Sequence, residues 1–573
     1  MLTFNDLKKN LKKDFKDFKN IKVAILGDTA TQFLAQAIRG YGYELKLNLE
    51  IFEADFNQID QQILDKNSDL YRFAPDFTII FESSHILLQK YNKQDSTEHY
   101  HFADINISHI KSLVTNLQNN SKSKIIFLNF TEEDDKVFGN YANKTPSSFI
   151  FQLRKLNYLL MELASQTEGL FVCDISTIQN NVGKQNMFLP HIYINSEMAV
   201  DFEVLPILSQ NIVQIIASIV GNLKKCLIVD LDNTLWGGII GDDGIENIQI
   251  GKLGIGKAFT ELQYWIKKLS KRGIIICVCS KNTEHIAKEP FEKHPDMVLK
   301  LEDIAVFIAN WNNKADNIKK IKEILNIGYD SMVFLDDNPF ERNIVRENIP
   351  EICVPELPQD PAYYLEYLYS LNLFETASYT TEDITRNELY RQESLRIQEI
   401  ESYANEDEYL KNLQMKCTVK KFDNFTTPRI AQLSQRSNQF NLRTIRYTED
   451  EIKKIASSQN YFTFSFSLED KFGDNGLISV IILEKISENE LFIDTWFMSC
   501  RVLKRGVEKF ALNVLVKFAK ENAYKYLIGE YIPTEKNILV KDHYASLGFQ
   551  AKENYWVLDV DTYIEKECYI ELL

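Results

Sequence analysis

Asp230 closes the apolar run KCLIVDLDNT (225–234) and is followed at spacing two by Asp232 and at spacing four by Thr234. Three further elements follow in chain order. Ser280 ends IIICVCS (274–280) and precedes Lys281 and Asn282; Lys314 lies in WNNKADNIKKI and opens a helical stretch; Asp336 and Asp337 end SMVFLDD (331–337). Carboxylates, a hydroxyl and an ammonium at the ends of separate apolar runs are what phosphoryl transfer needs. The transferring group spreads negative charge over three oxygens, so a carboxylate can attack only where a divalent cation and a fixed ammonium offset the repulsion. In this reading Asp230 attacks phosphorus and forms an aspartyl phosphate. Asp232 protonates the leaving group and then activates water, a role that tolerates a carboxyl pKa partly raised by another acid. Thr234, Ser280, Lys281, Asn282 and Lys314 are candidates to hold the phosphoryl oxygens. Asp230, Asp336 and Asp337, with the backbone carbonyl of Asp232, are candidates for an oxygen shell around Mg²⁺. Any one of these acids alone is as readily a turn residue or helix cap; their order and setting together carry the reading.

The elements that must position them are those of an α/β chain. KCLIVDLDNT, IIICVCS and SMVFLDD read as buried parallel strands with GKAFTELQYWIKKLSKRG (256–273) as a helix between the first two, and ligand sites of such sheets lie at the carboxyl ends of the strands. Between Asp232 and Ser280 stands only a flap, WGGIIGDDGIENIQIG, and that helix; between Ser280 and Lys314 there is no room for a large lid. An open site of this kind suits a macromolecular substrate or a cover supplied by a neighbouring domain.

Upstream, IKVAILGD (21–28), FTIIFES (77–83), KIIFLNF (124–130) and LFVCDIS (170–176) predict another parallel-sheet unit. Downstream of Glu375 the charged stretch from Thr380 to Leu413 predicts a solvated helical connector. Then YFTFSFSLED (461–470), GLISVIILEKI (476–486) and LFIDTWFMSC (491–500), followed by the helix GVEKFALNVLVKFAKENA (506–523), predict an α+β domain. The fold class is therefore α/β and multidomain: two Rossmann-like parallel-sheet domains, residues 1–221 and 222–375, followed by an α+β domain, residues 376–573.

A chain of 573 residues with net charge −16 is several domains long and is not a general binder of nucleic acid. No signal peptide is legible, and the longest apolar stretch, Asn211 to Leu223, is too short to cross a bilayer and reads as a buried helix. A cytoplasmic protein without a membrane partner is expected. The eight cysteines are dispersed, and Cys277 and Cys279 are expected on opposite faces of one strand, so neither zinc nor disulfides are suggested.

The four phosphoryl-transfer motifs resemble those of the haloacid dehalogenase superfamily. DLDNTLWGGIIGDDG, W-x-x-K, FLDDNPFER, NQFNLRT, KFGDNGLISV and SCRVLKRGVE narrow the resemblance to the FkbH-like family, a subclass IIIC phosphatase joined to an acetyltransferase-like domain, over most of residues 222 to 573. The resemblance implies that phosphate is removed from 1,3-bisphosphoglycerate and that the glyceryl unit is loaded onto an acyl carrier protein. EYIPTEKNILVKDHYASLGF resembles the closing segment of GCN5-related acetyltransferases, with Asn537, Tyr544, Gly548 and Phe549 at matching places. In SCRVLKRGVE, Lys504 stands where the first glycine of the pyrophosphate loop is usual, so a phosphopantetheine arm held by Arg501, Lys504, Arg505 and Gly506 is the alternative to acetyl-CoA. Cys500, before those cations and a helix start, is a candidate for a transient thioester or else a buried strand cysteine. Arg436, Arg443, Arg446 and Lys504 are candidates for meeting an acidic carrier protein.

The N-terminal LGDT (26–29) resembles the first block of SGNH esterases, with Thr29 in the serine position and His191 in LPHIYINSEMA near the expected base. These two form either a hydroxyl-imidazole pair or part of a degenerate scaffold. The functional expectation is a Mg²⁺-dependent phosphatase acting on a small phosphorylated substrate and passing an acyl unit to a carrier protein. The alternatives are a plain phosphatase for a sugar or lipid precursor in surface-glycan synthesis, and a scaffold that binds carrier proteins without turnover.

Overall fold

The chain divides into two compact units, Met1–Val220 and Gly221–Leu573. The computed structural model describes residues 2–379, 383, 385–400, 403, 405–437 and 439–573. Parts of the connector (380–382, 384, 401, 402 and 404) and the first residue of NQFNLRT lie outside the described residues.

In the first unit, strands β1 (Lys19–Gly27), β2 (Leu47–Glu53), β3 (Phe77–Phe81), β4 (Lys124–Leu128) and β5 (Leu170–Cys173) form a parallel sheet in the order β2-β1-β3-β4-β5. The four apolar runs of the sequence are β1, β3, β4 and β5. β2 was not legible because it is an edge strand: Leu47 and Leu49 are buried while the intervening Asn48 and Glu50 are not, which leaves no continuous apolar run. The helix Leu205–Ile219 covers much of the stretch expected as a buried helix and is buried on almost all sides.

The second unit holds two sheets. Its first has β6 (Cys226–Val229), β7 (Ile275–Ser280), β8 (Val306–Ala309) and β9 (Met332–Leu335), all parallel, in the order β8-β7-β6-β9. β6 lies between β7 and β9, so Asp230, Ser280 and Asp336 leave the sheet at one edge on adjacent strands. Alternate residues serve two core layers: Leu227, Val229, Ile276, Val278, Val333 and Leu335 one, Cys226, Ile228, Ile275, Met332 and Phe334 the other. Cys277 and Cys279 both join the second layer. This corrects the expectation of opposite faces, since a strand repeats every two residues and positions i and i+2 share a face. All eight cysteines are free.

The second sheet of this unit has eight strands, β10 (Met415–Lys420), β11 (Tyr461–Asp470), β12 (Gly473–Lys485), β13 (Glu490–Met498), β14 (Tyr526–Gly529), β15 (Gln550–Lys552), β16 (Tyr555–Asp559) and β17 (Ile570–Leu572), in the order β15-β16-β14-β13-β12-β11-β10-β17. β13 and β14 are parallel, as are β10 and β17, and the other pairs are antiparallel. The helix Val507–Glu521 buries Phe510, Leu512 and Leu515 in the core of this sheet.

The connector is not solvated as expected. Its helix Arg386–Ile400 packs on β7 and on the helix Lys314–Leu325, with Asn387 and Tyr390 buried. Asn387 accepts the Ile276 amide at 3.1 Å, and Arg396 is buried against Asp470 at 2.8 Å. A charged composition misled at Arg396, which is paired inside with a carboxylate far away in sequence, while Arg391 and Glu388 pair locally and stay about 40% exposed. Among the described residues, no helix is long and apolar enough to cross a membrane.

Candidate active site

Asp230 leaves β6 with its amide donating to the Leu335 carbonyl of β9 at 2.9 Å, which carries the ladder one residue past the strand and fixes the carboxylate beside Asp336. One ligand oxygen from each of Asp230, Asp336 and Asp337 falls within 4.8 Å of the others. Lys314, the first residue of its helix, reaches in from the side. Its Nζ is 2.8 Å from Asp230 Oδ2 and 2.6 Å from Asp336 Oδ2.

Three acids around one ammonium leave net negative charge in a buried place. Burial pushes the Asp336 carboxyl up to about 7, the Asp230 charge adds to this, and Lys314 opposes it. Asp337 is raised by burial and by Asp230 in the same way. Burial works against the Lys314 ammonium, yet Asp230 and Asp336 outweigh it and hold its pKa above the usual lysine range. Asp230 Oδ1 is buried with no hydrogen-bond partner among the described residues. An orphaned carboxylate oxygen facing two further carboxylates is the donor set of a hard divalent cation, so the residues present fit Mg²⁺.

Asp232 is held apart from that trio. Its Oδ1 accepts from Trp236 Nε1 at 2.9 Å and from the Ile240 amide at 3.0 Å; its Oδ2 accepts from Asn282 Nδ2 at 2.8 Å. Asn233 takes the left-handed backbone, φ 53, that turns the chain after Asp232, and its Oδ1 accepts the Gly238 amide at 2.9 Å. Asn282 also approaches Ser280 Oγ at 3.3 Å, so one amide links the end of β7 to the acid after β6.

The other expected phosphate ligands divide. Ser280 is buried at the rim. Thr234 accepts the Asp337 amide at 3.2 Å and so steadies a carboxylate of the trio. Lys281 is engaged by Glu341 at 2.6 Å. Sequence reasoning passed over Trp236 and Arg342. The latter donates from Nη1 to the carbonyls of Asp336 and Asp337, both at 2.7 Å, and pairs with Glu356 at 2.9 Å. Both stood inside quoted motifs, Trp236 two residues beyond Thr234 and Arg342 at the end of FLDDNPFER, but their partners are backbone or local atoms that no spacing reveals.

The residues expected to meet a carrier arm do not form one exposed cluster. Arg501 and Arg505 are buried; Arg501 donates to the Asn475 carbonyl at 3.2 Å, and Arg505 pairs with Asp470 at 3.1 Å and with Glu393. Lys504 is exposed at φ 65, and Gly506 is at φ 78 before the helix Val507–Glu521. Arg436 pairs with Asp383, Arg443 with Asp494 at 2.7 Å and Glu530 at 2.8 Å, and Arg446 donates to the carbonyl of Ser434. Cys500 is half-buried, its Sγ 3.3 Å from the Tyr390 hydroxyl and its carbonyl accepting from Asn326 Nδ2 at 3.2 Å. Asn537 is buried, with Nδ2 donating to the Asn441 carbonyl at 2.9 Å; Tyr544 and Phe549 are buried, and Gly548 is at φ 93.

In the first unit, Thr29 is buried with no partner for its hydroxyl among the described residues, and His191 is exposed on the helix Pro190–Ser196. No hydrogen bond joins the two among the described residues.

The family model of the FkbH N-terminal domain matches residues 22–217. None of the curated proteins matches the chain. Among solved structures, the N-terminal part of protein BF1531 from Bacteroides fragilis, containing a phosphatase domain complexed with Mg, is 54% identical, covers 66% of this chain and 100% of its own, and has a TM-score of 0.64. The ribosomal-protein-S18-alanine N-acetyltransferase of Escherichia coli is 14% identical over 26% of this chain and 98% of its own, with a TM-score of 0.20. Spermidine N-acetyltransferase of Vibrio cholerae is 12% identical over 26% of this chain and 96% of its own, with a TM-score of 0.22. Because it spans the whole of the Bacteroides relative at 54% identity and carries the FkbH N-terminal domain, the chain belongs to the FkbH-like phosphatase family.

Proposed function

We propose that the chain is a Mg²⁺-dependent phosphohydrolase that works through an aspartyl phosphate on Asp230. The observation that carries this reading is the meeting of Asp230, Asp336 and Asp337 with Lys314 at one edge of the sheet. Asp230 forms a bond to phosphorus while the bond from phosphorus to the ester oxygen breaks, and Asp232 gives that oxygen its proton. Oδ1 of Asp232 already accepts two hydrogen bonds, so Oδ2, which accepts one, is the atom that carries the proton. Water then attacks phosphorus, Asp232 takes its proton, and the bond to Asp230 breaks, releasing phosphate. Lys314 and Ser280 bind the phosphoryl oxygens. Asp230, Asp336 and Asp337 would hold Mg²⁺, which when bound neutralises charge developing on those oxygens.

The substrate in this reading carries both a phosphate ester and an acyl phosphate, as 1,3-bisphosphoglycerate does. Asp230 takes the ester phosphate, while the Cys500 thiolate, in an acetyltransferase-like module, attacks the acyl carbon as phosphate leaves it, and the thiol of an acyl carrier protein then takes the acyl unit from the thioester and frees Cys500. Support comes from the motif resemblance and from the half-buried thiol beside Tyr390. One observation favours a plain phosphatase instead: Arg505 pairs with buried carboxylates and Arg501 is itself buried, which leaves Lys504 as the exposed cation of that loop.

Incubation with 1,3-bisphosphoglycerate, Mg²⁺ and an acyl carrier protein, read by intact mass, separates the two. Phosphate release with a glyceryl mass gain on the carrier is the expected result; release without any gain on carrier or on Cys500 removes the transferase half. Asp230→Asn is expected to abolish release, and retained turnover would overturn the nucleophile assignment.

A further inference from the structure

The edge of the phosphatase sheet opposite Asp230 holds a second concentration of charge, of the other sign. Lys224 and Lys225 immediately precede β6, and Arg272 lies three positions before the first residue of β7. Asp230 follows β6 at its other end, about 16 Å of extended chain away. The three cations line a small pocket, partly open to solvent, together with Arg386, at the start of the connector helix, and Arg436, at the end of the helix Thr427–Arg436. Five basic side chains from four elements meet there, in a chain whose net charge is −16.

Their counter-charges are few. Arg386 and Arg436 share one carboxylate, Asp383. Among the described residues, Lys224, Lys225 and Arg272 have no carboxylate within ion-pair distance and donate instead to main-chain carbonyls of Asp330, Arg436 and Phe374. The acid in the cavity wall, Glu375, accepts from Asn372 Nδ2 at 2.8 Å and from the Thr376 amide at 3.0 Å. Carbonyl oxygens satisfy N–H groups but supply no full negative charge, so among the described residues the cavity keeps a positive excess that a bound anion would offset. Burial, with the nearby Arg386 charge acting in the same direction, brings Lys225 down to about 8 and Arg436 down to about 9.

We propose that this cavity, at the seam between the phosphatase sheet and the C-terminal module, is a binding site for a phosphate-type oxyanion, separate from the active site. Its recognition groups are Lys224, Lys225 and Arg272 from the sheet and Arg386 and Arg436 from the two helices. Forked guanidinium donors favour tetrahedral oxyanions over chloride. An anion there ties the connector and the helix Thr427–Arg436 to the base of β6 and β7. The inference does not depend on the phosphatase reading.

Thermal unfolding of the full chain in Mg²⁺-free buffer tests it, with inorganic phosphate against chloride at equal ionic strength. Phosphate is expected to raise the midpoint of the wild type and of Ser280→Ala, whose change lies at the other end of the sheet. In Arg272→Gln and Lys225→Met the rise should fall by at least half. Methylphosphonate, which cannot be hydrolysed, distinguishes the source: a rise with both anions assigns a phosphomonoester group, and a rise with phosphate alone assigns the free ion. No rise in the wild type, or a rise lost in Ser280→Ala and kept in Arg272→Gln, overturns the proposal. Where Lys225→Met does not fold, crystals of the wild type soaked in tungstate replace it. An anomalous peak between Arg272 and Arg436 supports the site, and a cavity without one overturns it.

Discussion

The ammonium of Lys314 stands 2.6 Å from Oδ2 of Asp336, and the two side chains are 3% and 0% exposed. This is a buried ion pair with a second acid, Asp230, at 2.8 Å on the same nitrogen. Removing the cation leaves two or three carboxylates facing one another out of water. Lys314→Met is therefore expected to lose about 3–5 kcal/mol of stability in EDTA. Mg²⁺ should restore part of it by supplying positive charge, while turnover stays about 10²–10³-fold down for want of the fixed ammonium. Urea unfolding with and without Mg²⁺, beside a phosphatase assay, checks both halves. Equal stability of variant and wild type in EDTA would sink the ion-pair account.

Asp232 depends on its neighbours for orientation. Asn282→Ala deletes the donor on Oδ2 and Trp236→Phe deletes one donor on Oδ1. Each should lower kcat by about 10-fold or more, as expected where a positioned acid-base group contributes about 10²–10⁴. KM should change little, because Asp232 acts on the leaving group rather than on the bound phosphoryl. Steady-state kinetics on one substrate suffices, and a change confined to KM would show that these residues bind rather than orient.

That much of the site could be read from the sequence follows from its construction. β6, β7 and β9 are fully buried strands, so each is a continuous apolar run that stops where Asp230, Ser280 and Asp336 begin. β8 escaped notice because it is short and lies at the sheet edge with Phe307 and Ile308 only partly covered. Arg396 was read as a solvated connector residue because its partner, Asp470, is 74 positions away. The same limit hid the fate of Arg501 and Arg505: composition shows a cation, and only the fold shows what neutralises it. The seam cavity was likewise invisible, since its five cations come from stretches as far apart as Lys224 and Arg436.

Stability should depend on pH through Asp28 in the first unit. Burial pushes its carboxyl up to about 8, with the Glu82 charge adding to the shift, against 3.8 for the ordinary group. The folded form thus holds a proton between these values that the unfolded form has lost. The contribution is fully present below about 3.8, declines as pH rises, and is gone above about 8. Its slope is at most about 1.4 kcal/mol per pH unit. Asp28→Asn mimics the protonated acid and keeps an oxygen for the Ser83 amide. The difference between variant and wild type in urea should therefore turn increasingly in favour of the variant from pH 5 to pH 8. A difference that is flat over this range would refute the shift.

Asp470 decides between two uses of the cations around it. Its Oδ1 meets Arg396 at 2.8 Å and its Oδ2 meets Arg505 at 3.1 Å, and none of the three side chains is more than 5% exposed. Glu393 meets both guanidiniums as well. Asp470→Asn keeps the shape but leaves two buried cations on one carboxylate, which should cost about 3–5 kcal/mol. Lys471→Ala, next to it but partly exposed and paired with Glu399, should cost no more than about 1 kcal/mol. Phosphatase turnover of the folded fraction should survive in both, because Asp230 stands on the other sheet of the unit. If Asp470→Asn is instead neutral in stability but impairs transfer to a carrier protein, Arg505 is available to a phosphopantetheine arm after all, and its pairing with Asp470 is incidental.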